Sequence, residues 1–466
     1  MKKKLFLFLA LSSFQALANA ADLIEVFNQA LLCDPIYQQA ISQRLSTREG
    51  LPISIASLLP NVYVTYNPAI SRSGYSGSNY DAVIPIAGTP SFLQPRNVTT
   101  RSYTLALQAT QTVFNFAQSA GVAQSLATAK GADATLNAAL QSLMTRVENA
   151  YFAILKDEDN LSYTKASKRA YEKQLDQVNQ QYKVGLKTLT DVYTAQASYD
   201  SAYATEIAAQ TALTNDKENL RVITGKYYEQ LLPLSDDFPL VSPQPLNEEE
   251  WVRRAQLQNW NIRTAQYNVD SNRQIIRQQY AGHLPIVTAQ ASVSRAYTDN
   301  LNGYPSFNLR NGPGTETDKT FGFNVTMPLF SGGSVVAQTN QAVYNYQIAQ
   351  QQLEQTARNT INTTRQSYLN VVAGISLVKA DKQAIKSATS SWEGLEASYR
   401  VGTETLVDVL NQQQRIFQAQ TTYATDRYAF INNIFLLKQA AGTLCFDDLR
   451  GLNAWLITNK KISPSK

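Results

Sequence analysis

The sequence predicts a mainly α-helical protein with a smaller β portion, built from two internal repeats. Three features carry that prediction: a phrase written twice at a fixed offset, two very long stretches without proline, and four short segments in which apolar and small polar residues alternate.

QQYKVGLKTLTDVYTAQ (Gln180–Gln196) and ASYRVGTETLVDVLNQQ (Ala397–Gln413) share Tyr-x-Val-Gly-x-x-Thr-Leu-x-Asp-Val at an offset of 217. The same offset pairs Tyr151 with Tyr368 and Gly225 with Gly442, while upstream an offset of 225 pairs Ala30 with Ala255, Arg48 with Arg273 and Leu59-Pro60 with Leu284-Pro285. Two homologous halves are therefore expected, joined by a Pro-rich connector around LLPLSDDFPLVSPQPLNEEE (Leu231–Glu250).

Residues 1–20 have the form of a secretion signal: Lys2, Lys3 and Lys4, an apolar run from Leu5, and the small-residue exit Ala18-Asn19-Ala20. The mature chain is expected to begin at Ala21, outside the cytoplasm. The first repeat then reads as a leading helix (21–57), a strand pair with its loop (58–115), and a long helix plus return helix (116–225) that turn near 184–187. After the connector (226–250), the second repeat reads as a leading helix (251–281), a strand pair (282–331), and a long and a return helix (332–442) turning near 401–404, followed by a C-terminal tail (443–466).

Proline placement locates the long helices, because an interior proline deletes a backbone donor and clashes with the preceding turn. None occurs between Pro95 and Pro233 or between Pro328 and Pro464. Each stretch is punctuated at Val184-Gly185 or Val401-Gly402, where glycine permits the positive φ of a helix C-terminus, and Thr188 and Thr403 or Thr405 can cap the helix that follows. In the last helix Leu406, Val409, Gln413, Ile416, Gln420, Tyr423, Arg427, Phe430, Ile434 and Leu437 alternate steps of three and four, a seam with polar members. From about Ala117 to Tyr182 and from about Ser334 to Tyr399, each long helix spans roughly 100 Å, a length suited to a tube or a stalk.

Between leading and long helices the period drops to two. SYTLALQATQTVF sets Tyr103, Leu105, Leu107, Ala109 and Val113 against Thr104, Ala106, Gln108 and Thr110. KTFGFNVTMPLF sets Phe321, Phe323, Val325, Met327 and Leu329 against Thr320, Gly322, Asn324 and Thr326. NVYVTYN and IVTAQASVS supply partner strands, with Val62, Val64 and Tyr66, then Val287, Ala289, Ala291 and Val293, on the apolar face. One apolar and one small-polar face suits a transmembrane β-barrel, or a soluble sandwich with one solvated face. Four strands cannot enclose water, and strand edges cannot stay unpaired in lipid, so a barrel here requires several chains. Loops are expected at Asn67–Asn97 and Ala296–Asp318, both rich in Gly, Ser, Asn and Pro.

Other classes receive little support. Losing Lys2, Lys3 and Lys4 lowers the formal charge from +5 to +2, leaving no basic face for nucleic acid. The single histidine, His283, sits at a helix-to-strand junction without a nucleophile or metal-ligand pattern around it, and no phosphate-binding glycine loop occurs, so neither an enzyme nor a cofactor is indicated. Cys33 and Cys445 read first as two separate small buried residues, with a disulfide as the alternative in an oxidising compartment. A non-conducting trimeric stalk or adhesin would share the long helices without needing a lipid-facing sheet.

NQALLCDPIYQQA (Asn28–Ala40), GHLP (Gly282–Pro285), MPLFSGG (Met327–Gly333), both Val-Gly hairpins and AGTL (Ala441–Leu444), in this order over two repeats, resemble the TolC family of outer-membrane efflux and type I secretion channels. The resemblance covers nearly the whole mature chain. It implies a homotrimer in the outer membrane of a Gram-negative bacterium: three four-stranded contributions closing one twelve-stranded β-barrel, continued by a twelve-helix periplasmic α-barrel with an equatorial belt. It also implies a passive conduit for multidrug efflux, type I protein secretion or both. A periplasmic adaptor (membrane fusion) protein and an inner-membrane transporter of RND, ABC or MFS type would dock at the hairpins, Val184-Gly185 and Val401-Gly402.

Carried over residue by residue, the resemblance places Asp408 as a carboxylate ring at the pore constriction, where three copies would attract cations. The family's second aspartate, one turn later, is Asn411 here. Thr190, Asp191 and Tyr399 match residues that latch the closed entrance, but the basic partner of that latch is Glu404, so Lys187 is expected to pair with Glu404 in reversed polarity. Thr and Asp are also ordinary helix-start residues, and capping alone would account for several of these matches. Under the same layout Cys33 and Cys445 both fall near helix ends at the belt, which keeps the disulfide open.

Overall fold

Each leading helix is broken at the same repeat position, by two different means. The computed structural model describes residues 20–74, 97–301 and 314–457; the expected secretion signal lies outside them apart from Ala20. Asp22 caps α1 (Leu23–Cys33), accepting from the Glu25 N–H at 2.7 Å. Asp34 precedes a proline, which disfavours helical geometry, and its ψ is 116°. The chain restarts as α2 (Pro35–Ala56), where proline suits the first helical position and Asp34 Oδ2 accepts from the Tyr37 N–H at 3.1 Å. The single helix expected over 21–57 is therefore two.

The order continues through β1 (Asn61–Gly74), β2 (Asn97–Phe114), α3 (Phe116–Lys183), α4 (Leu189–Thr224), α5 (Glu248–Gln258), α6 (Trp260–Tyr280), β3 (Ile286–Asn300), β4 (Gly314–Thr326), α7 (Ser334–Arg400), α8 (Leu406–Ala440) and α9 (Phe446–Asn453). α5 and α6 are separated at Asn259, the counterpart of Asp34, although no proline follows it. Its side chain performs the break: Oδ1 accepts from the N–H groups of Asn261 and Ile262 at 2.9 and 3.2 Å, and Nδ2 donates to the Ala440 carbonyl at 2.9 Å. Gly442 makes this approach possible, since a Cβ there would lie 2.5 Å from the Gln258 carbonyl carbon, and its φ is +72°. The expected leading helix at 251–281 is accordingly also divided. The long helices run 68 and 67 residues, within one residue of the expected bounds at either end.

The described chain divides into two compact units. The first, made of residues to Arg44, Ala132–Ala265 and those from Leu353 on, holds the main core. Phe27, Leu143, Tyr151, Phe152, Phe430 and Ile431 are all but fully buried there, and the connector joins them through Tyr228, Leu231 and Leu234. Tyr151 explains why a Pro-rich segment packs so closely: its hydroxyl donates to the carbonyls of Ala21 and Leu232 at 3.2 and 2.8 Å, and burial pushes its pKa up. Glu148, on the same helix, is fully buried with no partner on either carboxylate oxygen, and burial raises its pKa well above the usual carboxylate range.

The second unit, Leu45–Gly131 and Gln266–Gln352, contains the sheet. Its strands are antiparallel in the order β1-β2-β3-β4, so sequence neighbours are spatial neighbours throughout. The register aligns the apolar alternation of all four strands: Val62, Ala109, Ala291 and Phe321 form one row, and Val64, Leu107 and Val293 lie in the next. These side chains are largely exposed in the single chain. The strands outrun expectation, with β1 reaching Gly74, β2 starting at Asn97 and β3 reaching Asn300, so part of each expected loop is strand and the remainder lies outside the described residues. Two face assignments change. β4 ends at Thr326, before Pro328, which has no N–H for a ladder, so Met327 and Leu329 lie beyond the strand. In β2, the register with β3 shifts between Thr112 and Phe114, making Val113 a bulge residue while Phe114 pairs with Val287.

Candidate functional site

Both hairpin tips are built by the same two local devices. The first is the glycine turn: Leu186 N–H donates to Gln181 O at 2.8 Å and Gly185 N–H to Tyr182 O at 2.9 Å, while Thr403 N–H donates to Ser398 O at 3.0 Å and Gly402 N–H to Tyr399 O at 3.1 Å. Such paired bonds close a helix only with a left-handed residue after it, and φ is +77° at Gly185 and +84° at Gly402. Val184, Leu186 and Val401 are left exposed at the tips.

The second device is the capping box. Thr188 Oγ1 accepts from the Asp191 N–H at 3.2 Å, and Asp191 Oδ2 accepts from the Thr188 N–H and hydroxyl at 3.0 and 2.8 Å. Thr405 and Asp408 repeat the arrangement, with backbone donors at 3.3 Å on each side and a short hydroxyl-to-carboxylate bond. Thr405, rather than Thr403, is thus the second cap. Thr-Leu-x-Asp is written twice because a helix start that leaves orphan N–H groups is needed twice. The Thr188 N–H, then its hydroxyl, then the Lys187 charge hold the Asp191 carboxyl below the usual carboxylate range.

The expected latch residues meet only in part. Lys187 lies 4.6 Å from the centre of the Tyr399 ring, a cation–π contact joining the first tip to the last turn of α7. The Lys187–Glu404 ion pair is not formed, because the ammonium is taken by that ring and Glu404 stays exposed. Asp191 is engaged by its own cap instead of by Tyr399, whose buried hydroxyl has no partner. Thr190 contributes a carbonyl to the Thr194 hydroxyl at 2.9 Å.

Beside that contact, most of what joins the hairpins within one chain is apolar. Tyr171 and Val178 of α3, Ala195 and Ala202 of α4, and Leu406 and Leu410 of α8 form a small buried cluster, with Tyr399 packed at its margin. Tyr171 donates to the Leu410 carbonyl at 3.3 Å, and burial pushes its hydroxyl up to about 12. The α3 side of this cluster is not among the expected site residues. The signal was there, since Tyr171, Leu175 and Val178 repeat at helical spacing.

The two cysteines prove exposed rather than buried, and both are free thiols, so the disulfide is not formed within the chain. Cys33 Sγ accepts from Gln29 Nε2 at 3.2 Å, whereas Cys445 Sγ lies 3.4 Å from Asp448 Oδ2, at the start of α9. His283 packs edge-on against Tyr280. Among the described residues no cluster of His, Cys, Asp or Glu could hold a metal ion, and no helix is long and apolar enough to cross a membrane.

The family described as "Outer membrane efflux protein" matches residues 26–226 and again 251–443, each span carrying one glycine turn and one capping box. The chain belongs to the outer membrane efflux protein family. It is 34% identical over 452 residues to the outer membrane protein TolC of Escherichia coli, covering 96% of this chain and 87% of that protein. With TolC of Vibrio cholerae it shares 33% identity over 464 residues, 99% and 100% of the two chains. The alkaline protease secretion protein AprF of Pseudomonas aeruginosa is 27% identical over 93% of this chain and 86% of its own. Solved structures share the fold: VceC of Vibrio cholerae at a TM-score of 0.71 and 20% identity, covering 90% and 96% of the chains, and the CmeC channel of Campylobacter jejuni at 0.72 and 16%, covering 93% and 90%. The protein is an outer-membrane export channel.

Proposed function

We infer that three copies of this chain close a twelve-stranded barrel in the outer membrane and continue it as a twelve-helix tunnel through the periplasm, a passive conduit with no reaction of its own. The observation that carries this is the pair of unpartnered sheet edges. β1 and β4 have 14 and 13 residues, and the sheet they bound is apolar along one face. Edges of that length in lipid must be satisfied by other copies.

The hairpin tips would then be the gate. Asp408, whose carboxylate is held at the start of α8 by Thr405, would form the constriction ring, weakened by Asn411 where a second carboxylate would strengthen it. The latch in this chain would run through Lys187 on Tyr399 rather than through Glu404, with Asp191 and Thr190 shaping the adjoining turn. A periplasmic adaptor would grip the exposed Val184-Gly185 and Val401-Gly402 turns, and an inner-membrane transporter of RND, ABC or MFS type would supply cargo and energy. Relatives named for efflux and for protease secretion support both drug efflux and type I secretion as uses of the conduit.

Purified full-length protein should give the mass of a trimer in detergent and discrete single-channel currents in a planar bilayer. A stable monomer that never conducts would overturn the reading.

A further inference from the structure

The charged residues of the sheet are sorted by face. Pleating sends alternate residues to opposite sides, and the apolar side carries four cations, one on each strand. Counted outward from the helices, each is the next residue on that face after the apolar run: Arg72 follows Ile70, Arg101 follows Tyr103, Arg295 follows Val293 and Lys319 follows Phe321. Glu316 and Asp318 point to the opposite side, and Asp299, opposite Arg101, is the one acid sharing the face of the cations. Arg72, Arg295 and Lys319 are exposed, and none of the four forms an ion pair with another described residue. Beyond Arg295, Tyr297 stacks on Tyr103 with ring centres 6.3 Å apart.

We propose that these four cations form a belt that binds the phosphates of a phosphorylated lipid in the outward-facing leaflet of the membrane. The inference rests on the channel reading, in which this face meets lipid. Placement supports the level: the helices leave from the other ends of the strands, so the cations stand where the apolar band ends on the far side. The belt runs obliquely across the hydrogen-bonded rows, and strands tilted by about 35–45° make a level membrane surface cut obliquely across those rows. Long Arg and Lys stems reach along apolar surface to bring their charges to a common height. Sign supports the occupant. Acids cost less than cations on a lipid-facing strand, so a face that merely tolerated charge would favour Asp and Glu. Four cations at the boundary instead match an anionic layer, each worth about a fivefold gain in affinity near an anionic surface.

The test uses the full-length protein in non-ionic detergent, titrated with purified lipopolysaccharide and with the same lipid after enzymatic removal of its phosphates. The wild type should bind the phosphorylated form at least about tenfold more tightly, and the preference should shrink as salt rises. The combined Arg72→Gln, Arg101→Gln, Arg295→Gln, Lys319→Gln variant should lose the preference, whereas the opposite-face pair Glu316→Gln, Asp318→Asn should keep it. Should the fourfold variant fail to assemble, Arg295→Gln and Lys319→Gln singly should each reduce the preference. Equal binding of the two lipids by the wild type, or an undiminished preference in the belt variants, overturns the proposal. Oligomer mass and conductance measured on the same wild-type samples distinguish this failure from that of the channel reading, which alone predicts a conducting trimer.

Discussion

The two hairpin tips spell one phrase and adopt one backbone, yet their return helices are buried differently. Leu406 is 2% exposed, while its counterpart Leu189 is 47% exposed. α4 buries a single stripe of mostly small residues, Ala195, Ala202, Ala209, Leu213, Leu220 and Thr224. α8 buries large residues along two stripes, Leu406, Val409, Gln413, Arg427, Phe430 and Leu437 on one, and Leu410, Tyr428, Ile431 and Phe435 on the other. The two halves share local chemistry but not packing. Turn and cap depend on residues within six positions of each other, whereas burial depends on what lies alongside.

The two tips should differ most at that leucine pair. Leu406→Ala should destabilise the tip by about 2–5 kcal/mol, as expected for a buried leucine, and Leu189→Ala by no more than about 0.5 kcal/mol. Amide hydrogen exchange over 399–412 and 182–196 reads both, and equal losses would mean that the hairpins are equivalent after all.

A second divergent pair lies higher on the long helices. Glu148 is buried and unpartnered, while its repeat counterpart Arg365 is half-exposed and ion-paired with Glu248 and Glu249 at 3.2 and 2.6 Å. Because burial raises the folded pKa of Glu148, the folded state holds a proton that the unfolded chain releases above the ordinary carboxylate range. Stability is therefore lost as pH rises from there toward the folded pKa. Glu148→Gln should raise the unfolding temperature at pH 8, with the gain shrinking toward pH 5. A gain independent of pH would show that the carboxyl is not held neutral.

Where the hairpins agree, paired variants should agree. Gly185→Ala and Gly402→Ala place a Cβ in open space at positive φ, so each should cost about 1–2 kcal/mol through backbone strain alone. Thr188→Ala and Thr405→Ala should each cost about 1 kcal/mol. Exchange rates in the first turns of α4 and α8 report both, and a large asymmetry would show that one tip leans on contacts beyond its own turn.

The smallest expected effects concern charge. Asp408→Ala should weaken cation block of single-channel current while Asp191→Ala leaves it intact, and equal behaviour would remove the constriction from Asp408. Since its cap lowers the Asp191 pKa, the stabilisation it gives α4 is present above the unfolded carboxylate pKa and is lost as pH falls through the folded one. Protease cleavage at the first tip should therefore rise on acidification below that range.

Much of this was legible in the sequence. Proline spacing, duplicated glycines and heptads located α3, α4, α7 and α8 to within a residue or two, since each is governed by local sterics and caps. The breaks at Asp34 and Asn259 were harder. One was signalled by Pro35, but the other depends on a side chain reaching the Ala440 carbonyl, 181 residues away. At the gate, Asp191 and Asp408 were legible as a repeated pair, and a capping role was one of their two readings. Lys187 on Tyr399 was not, because an ammonium that could pair with Glu404 or stack on a ring is assigned only when both are placed.

The helix lengths, the turns and the two-faced strands could be read from the amino-acid order alone, because they follow from periodicity, backbone sterics and caps within a few residues. How deeply each return helix is buried, which partner Lys187 takes, that Cys33 and Cys445 stay unbonded and that the cations of the sheet share one face emerge only from the folded chain. Those outcomes depend on register and on surfaces brought together from distant parts of the chain, where several pairings satisfy local chemistry equally and packing selects one.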